Sequence, residues 1–397
     1  MTHRIRRLRA ALCLPWLVML LAVPAVAEPG AVGDVPAEVR RRLRLHRFYT
    51  QHVDVGGLPV IGSKKVSPYA LREAAWLIEQ MLGDRPDVLA RLVRNKVRCS
   101  VMAHDEFTTD VPEHSTLEPA RFWNKRARGL GATKQIPCVS CAEENLLHFE
   151  GDPYSKEIIL IHEFAHAVDL LALRDMDRTF ERDLQAAYDA AMAAGLWKDL
   201  YAAQNKEEYW AIGVQAWFHA GREGGRIHNH VNTRPELRAY DPRLAALIER
   251  GFGKNAWIYK RPEQREAAPH LRGFDRAKAP TFQWPPALLE WYRKYEADKQ
   301  TGIGRIDLPP KTARTAPKTS PTSLHETRIL FMNRTSKRLR IQWLDHEGTL
   351  KAYGEVPPKQ TREQTTLVGH VWVVSDTKGQ EVARFVAGAK PGKAIIR

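Results

Sequence analysis

The chain has 397 residues, 61 of them basic and 46 acidic, and a formal net charge of +15. That length accommodates about two domains. The first 27 residues carry four arginines and Lys299–Arg397 carries 18 basic and 8 acidic residues, so the middle is near neutral; no nucleic-acid motif accompanies the surplus, which argues against specific nucleic-acid binding and leaves a solubilising or surface-touching tail.

In chain order, MTHRIRRLRAALCLPWLVMLLAVPAVAEPG comes first. Its arginines precede an apolar run broken by Pro15 and Pro24, and Ala25-Val26-Ala27 is a small-x-small pattern. These features predict a signal peptide over 1–27, cut after Ala27, and a secreted or periplasmic mature protein with no transmembrane span. Helix patterns follow in SPYALREAAWLIEQML, with Ser67 as N-cap and Pro68 at the first helical position, and in RPDVLARLVRN. KVRCSVMA and NLLHFEG read as short strands, the second as an edge strand beside a substrate cleft. Cys99, Cys138 and Cys141 remain after signal removal, and an oxidising compartment favours one disulfide, from Cys99 to Cys138 or Cys141, with one thiol left over.

EIILIHEFAHAVDLL reads as a helix, with apolar residues at Ile158, Ile161, Phe164, Ala165, Val168 and Leu171. His162 and His166 stand one turn apart on one side and can reach one metal ion together. Glu163 sits beside the first, where it can take a proton from a water. This H-E-x-x-H pattern belongs to zinc-assisted hydrolysis, Zn2+ being the cofactor. A third ligand must come from elsewhere. NKEEYWAIGVQAWFHA, another helix pattern, carries Glu207 and Glu208 at its start, and His219, His228 and His230 follow. Further helices read from FERDLQAAYDAAMAAGL, PRLAALIERGF and PPALLEWYRKYEADK. The Pro/Thr/Lys-rich stretch over 299–323 has little to bury and reads as a linker. After it, TRILFMN, RLRIQWLD, LKAYGEV, TREQTTLV, HVWVVSD and EVARFVA alternate with period two between turn signals, an antiparallel β-sandwich of about seven strands.

HEFAHAVD followed by EYWA resembles the gluzincin metallopeptidases of the anthrax lethal factor and Mlc-titration-factor type. That resemblance implies that Glu208, before the aromatic pair, is the third zinc ligand and Glu207 its solvated neighbour. It also implies that Tyr201, seven residues earlier, stabilises the oxyanion. The stretch from about Arg126 to Phe252 is similar to a group of secreted proteins with the same zinc pattern, which supplies no substrate. FMNRTSKRLRIQWLDHEGTLKAYGEVPPKQTREQTTLVGHVWVVSD resembles the β domain of the von Hippel–Lindau tumour suppressor. In that family the groove holds a 4-hydroxyproline of an extended peptide. The resemblance carries this to Trp343, Tyr353, Thr366, His370 and Trp372, Thr366 standing where the family has serine. The family's second, helical domain has no counterpart here, so its ubiquitin-ligase adaptor role does not transfer.

The expected architecture is α+β: a mainly helical zincin-like catalytic domain with a small sheet over 28–298, the linker, and the sandwich over 324–397. The expected function is a secreted zinc metallopeptidase acting on peptide or protein, with a module that binds peptide or matrix, hydroxyproline-containing peptide above all. The rival is an exported binding or adhesion protein whose zincin domain is structural or inactive.

Overall fold

A computed structural model describes residues 30–224, 228–302, 306–323 and 325–397; the predicted signal peptide lies outside them. The N-terminal region has a five-stranded sheet in the order β1 (Gly33–Asp34), β2 (Gln51–Val55), β3 (Leu58–Gly62), β4 (Arg98–Met102), β5 (Cys138–Ala142). Its first strands are antiparallel, whereas β3, β4 and β5 run parallel. Around it are helices α1 (Ala37–Leu43), α2 (Pro68–Leu82), α3 (Pro86–Arg94), α4 (Ala120–Arg126), α5 (Glu143–Leu146), α6 (Ile159–Val168), α7 (Arg174–Met176), α8 (Phe180–Ala193), α9 (Lys206–Trp217), α10 (Arg234–Tyr240), α11 (Pro242–Phe252) and α12 (Pro286–Gly302). One large apolar core joins sheet and helices and holds Ala74, Ile78 and Met81 of α2 with Leu160, Phe164 and Val168 of α6, and smaller clusters pack α1 on Ile61 and Val111 on Met102 and Ala142.

Ser67 precedes α2 as predicted, but its side chain does not cap it. The buried Glu143 carboxylate instead accepts the Ser67 and His104 amides at 2.7 and 2.8 Å, tying the helix start to the strand ends.

NLLHFEG is not a strand. Its first residues form α5, and its apolar side chains are buried by tertiary contacts that happen to mimic alternation. The reason lies in Asn145. Its amide nitrogen bonds Asp152 Oδ2, the Tyr154 carbonyl and the Glu157 carbonyl at 3.0, 3.1 and 2.9 Å, and its oxygen accepts the Ile159 amide at 2.9 Å. One side chain thus folds the loop and starts α6. The sheet edge is β5, to which Leu130 adds an antiparallel bridge at Ser140.

Nor is there a disulfide among the described residues: Cys99, Cys138 and Cys141 are free and buried. Cys138 and Cys141 lie three apart on β5, so they point to opposite faces of the sheet and cannot chelate or bridge. Burial pushes both thiols up.

The C-terminal part is a two-sheet structure. One sheet, in the order β12 (Glu381–Val386), β11 (Val371–Asp376), β8 (Leu339–Leu344), β9 (Leu350–Val356), is antiparallel throughout. The other runs β10 (Thr361–Leu367), β7 (Glu326–Asn333), β13 (Gly392–Ile396), β6 (Ile306–Asp307), and β13 lies parallel to both neighbours. Ile329, Phe331, Ile341, Trp372, Val374, Phe385 and Ile396 fill the space between. All six predicted strands are present; β13 and β6 complete the second sheet.

Much of the expected linker belongs to this module. Leu308 enters its core, Ala316 packs on Leu344 and Val371, and Lys311 exchanges backbone hydrogen bonds with Arg384. Ser320 is buried; its hydroxyl donates to the Leu344 carbonyl and accepts from Trp343 Nε1 and the Val371 amide, both at 2.9 Å. Proline and threonine disguise the segment because it follows the sheets through side-chain bonds rather than a long ladder. Among the described residues no helix is long and apolar enough to cross a membrane.

Ser320→Ala leaves two donors and a carbonyl without their partner. It should cost roughly 1–3 kcal/mol, read as a lower denaturant midpoint, with little change when an exposed neighbour such as Lys318 is replaced by alanine.

Candidate metal centre

Helix α9 packs on α6, and its rotation is set by polar anchors in an apolar interface. Asn205 accepts the Glu208 amide at 2.8 Å and starts the helix. Trp210 Nε1 donates to the Ala165 carbonyl at 2.9 Å, and the Tyr209 hydroxyl donates to Asp241 at 2.7 Å. With these two aromatics turned into the core, Glu208 faces the histidines. Glu207 points away. It is not merely solvated, since it pairs at 3.0 Å with Arg174, which also holds Asp169 and Glu181.

Among the described residues, His162, His166 and Glu208 are the one group gathered closely enough to share an ion. His162 Nε2 lies 3.3 Å from His166 Nε2 and 3.0 Å from Glu208 Oε2, and the third edge is 3.8 Å. Ligands at about 2.0–2.1 Å from a tetrahedral ion stand about 3.3–3.4 Å apart. The donor set and its spacing therefore fit zinc with one position open. His219, His228 and His230 do not join the group. His228 lines the cleft, while His219 faces a separate cavity beside His148 and His230 packs on Tyr240.

Behind His162 stands Gln215. Its amide oxygen lies 3.0 Å from His162 Nδ1, so that nitrogen carries the proton and Nε2 is free to ligate. Its amide nitrogen reaches Glu157 at 3.4 Å. Sequence reading missed Gln215; the signal was a polar residue two turns after Glu208 on an otherwise apolar helix.

The electrostatics favour positive charge among these atoms. Burial opposes charge on His162, but its hydrogen bond to Glu208 and the carboxylates of Glu163 and Glu208 outweigh it, raising it to about 9. Burial and the charge on His162 push His166 down to about 4. Burial would raise Glu208, but the histidines hold it below the usual carboxylate range. Glu163 is raised to about 7, chiefly by burial.

Glu163 and His162 line a cleft of about 330 Å3, together with Arg126, Tyr154, Tyr201 and Tyr292. The Tyr201 ring lies 6.3 Å from the His162 ring, and Arg126 Nη2 is 3.5 Å from its hydroxyl. Burial, reinforced by Glu208, raises the Tyr201 phenol, so it stays a proton donor at neutral pH. The strand-like Gly129–Leu130–Gly131 crosses beside α6. A Cβ on Gly129 would meet Ile159 at 2.5 Å and the Ser140 carbonyl at 2.7 Å, and one on Gly131 would meet the His166 side chain at 2.9 Å. Only glycine lets this backbone lie so close to the histidine helix.

In the C-terminal module, the five predicted groove residues also come together. His370 stacks on Trp343 at 5.0 Å and Tyr353 meets Trp372 edge-on at 4.9 Å. Trp372 Nε1 donates to the Thr366 hydroxyl at 2.8 Å, leaving that hydroxyl's own proton to give. His370 is buried, its Nε2 has no partner in the protein, and burial with the nearby His346 pushes it down to about 4. His346, absent from the sequence-based set, bonds the Ser320 carbonyl at 2.9 Å and closes the cage against Trp343 and His370.

Residues 319–386 match the family model described as VHL beta domain. No curated protein matches the chain. Among solved structures, the PRO-PRO endopeptidase PPEP-2 from Paenibacillus alvei is similar at 14% identity, over 49% of this chain and 97% of that one, with a TM-score of 0.30.

Gln215→Ala should lower affinity for a divalent ion about 10- to 100-fold with the fold retained, measured by chelator competition. Glu208→Ala should empty the site, whereas Glu207→Ala should keep the metal; equal loss in both would mean that the helix register above is wrong.

Proposed function

We propose that the chain is an exported zinc-dependent metallopeptidase whose C-terminal sandwich binds peptide and reads 4-hydroxyproline. The proposed organisation is a signal peptide over 1–27, a catalytic region from residue 28 to about 298, and a binding module that recruits much of the following segment. The observation carrying the peptidase reading is the group His162, His166 and Glu208, with Glu163 beside His162 on the cleft wall.

Zinc, when bound there, supplies Lewis acidity toward a carbonyl and a nucleophile at neutral pH. The chain's own residues do the rest. Glu163, with a pKa of about 7, takes a proton from water and returns it to the departing amine. The amide C–N bond breaks; the acyl carbon gains the water's hydroxyl and the amine its proton. Tyr201 donates toward the oxyanion, with Arg126 adding positive charge beside it. Gln215 holds the His162 ring in the ligating tautomer.

In the module, a proline ring would lie against the exposed Tyr353 and the half-buried Trp343, with the buried Trp372 behind Tyr353 holding that wall in place. A hydroxyl on that ring would accept from Thr366 and donate to the unpartnered His370 Nε2. Proline offers neither bond, and leaves the buried His370 Nε2 without a partner while the Thr366 hydroxyl keeps only its bond from Trp372.

Glu163→Gln should keep zinc and fold but lose hydrolysis about 100- to 10,000-fold, measured by metal content and a peptide cleavage assay. The metal-loaded Glu163→Gln chain should bind hydroxyproline peptides more tightly than matched proline peptides, by 1–3 kcal/mol or roughly 5- to 150-fold. His370→Ala should flatten that preference, and Trp372→Ala should weaken both peptides. Because His370 must be neutral to accept the hydroxyl and is pushed down to about 4, the preference should persist through the pH range where an ordinary histidine titrates and fade only as pH falls toward 4. Calorimetry with matched peptides at several pH values reads all three.

A further inference from the structure

The cleft beside the histidines carries two cations without a counter-charge. Lys125 and Arg126 end α4 and line the cleft together with Glu163 and Tyr201. Lys125 is half-buried and Arg126 is exposed at the rim. Among the described residues neither forms an ion pair with a carboxylate. Elsewhere Arg98, Arg128, Arg174 and Arg265 are each held by one, from Glu113, Glu144, Asp169 and Glu73 in turn. Arg128 lies only two residues beyond Arg126. The end of a helix favours cations through its dipole, but it does not neutralise them.

Rings and hydroxyls, not charges, hold the pair in place. The Lys125 ammonium lies 4.4 Å from the centre of the Trp284 ring and 5.4 Å from that of Tyr292. Tyr292 belongs to α12, and Phe122, one turn before Arg126, stacks on it at 6.1 Å. The contact of α4 with α12 therefore positions the ammonium. The Arg126 carbonyl accepts the Tyr154 hydroxyl at 3.0 Å, and its Nη2 lies 3.5 Å from the Tyr201 hydroxyl. A cation–π contact fixes an ammonium and leaves N–H groups that still need an acceptor. Burial lowers the Lys125 ammonium, as it does for a partly covered cation with no anion beside it.

The carboxylates of the cleft enter from other elements. Glu163 is on α6, and Glu157, just before that helix, reaches Gln215 at 3.4 Å. The cleft is thus divided by charge, with carboxylates on α6 and the turn before it and cations on α4. It is small, about 330 Å3, so an anion received on α4 belongs to a residue near the bond being cut.

We infer that this cleft takes a substrate with a carboxylate close to the scissile bond, and that Lys125, with Arg126 beside it, receives that carboxylate. The inference rests on the peptidase reading above and names its substrate class. The carboxylate is an Asp or Glu side chain or the peptide's own C-terminus. The two share one chemistry and differ in where cleavage falls. A neutral substrate leaves the Lys125 N–H groups without an acceptor, and a basic one brings like charges together.

The test uses random-sequence peptide libraries in two forms, C-terminally amidated and with a free C-terminus. The zinc-loaded full-length chain digests them, and mass spectrometry reads the sites. If a side chain is received, Asp or Glu should be favoured over Ala at one fixed position by about 10- to 150-fold in kcat/KM in both libraries. Cleavage confined to the free-acid library, at a fixed distance from the end, identifies the terminal carboxylate. Either preference should shrink as salt rises. Lys125→Arg should keep it, Lys125→Met should flatten it, and Lys125→Glu should turn it toward Lys and Arg. Equal cleavage of acidic and neutral sequences with no dependence on a free C-terminus, or a preference that survives Lys125→Glu, overturns the inference and leaves the peptidase reading standing. Cleavage of nothing by the zinc-loaded wild type overturns the peptidase reading. The same libraries are then passed over immobilised, zinc-loaded Glu163→Gln chain. Retention of carboxylate-bearing peptides that Lys125→Glu abolishes keeps the carboxylate site; no such retention, or retention that Lys125→Glu leaves unchanged, overturns it.

Discussion

The contact between the Trp210 indole and the Ala165 carbonyl is the hinge pin of the region that gathers His162, His166 and Glu208. It buries a large aromatic with its one donor satisfied, and so fixes how α9 rotates against the histidine helix. A rotation by one residue, about 100°, would exchange Glu208 for Glu207. That exchange would break the Glu207–Arg174–Asp169 cluster and bury an unmatched carboxylate beside Asp241. Packing and charge therefore select the same register.

A second consequence of that packing is electrical. The metal-site carboxylates and imidazoles sit in a core too apolar to leave charges unpaired. Side chains with 10, 12 and 18% exposure for His162, His166 and Glu208 admit solvent from one side only. The same burial that makes the cluster costly without a cation raises Glu163 into the range useful for proton transfer. Gln215 extends the network behind His162 and reaches Glu157 on the cleft wall, so the imidazole's orientation depends on a residue outside the cleft lining.

What could be read from the chain followed local periodicity. His162 and His166 stand one turn apart on a helix wherever that helix lies, and the alternation of TRILFMN is carried by the strand itself. Asparagine and serine defeated the same reading. Asn145 turns an apparently alternating run into a loop, and Ser320 pins a proline-rich stretch into a core; in each, one polar side chain meets several backbone groups that are distant or unordered in sequence. The expected disulfide from Cys99 failed for a different reason: Cys99 pairs with Val139 across the parallel β4–β5 ladder, which puts Cys138 on the opposite face and leaves Cys141 hydrogen-bonded to Cys99 as a free thiol rather than bridged to it. Gln215 and the paired glycines at 129 and 131 were visible as residues but not as neighbours of His162 and His166, because their meaning comes from α9 and β5 meeting α6.

The placement of β13 has a consequence for the order in which the molecule can assemble. This strand is inserted between β6 and β7, so β6 has no sheet to join until β13 arrives. During folding the region before α12 can bury its core early, while the second sheet waits for β13, a pairing across more than eighty residues of chain. Closure of that long loop is slow compared with helix formation. β6 is thus fastened late, and a folding chain passes through a stage in which the core around α6 and α9 is built while the second sheet of the sandwich is still open at β7.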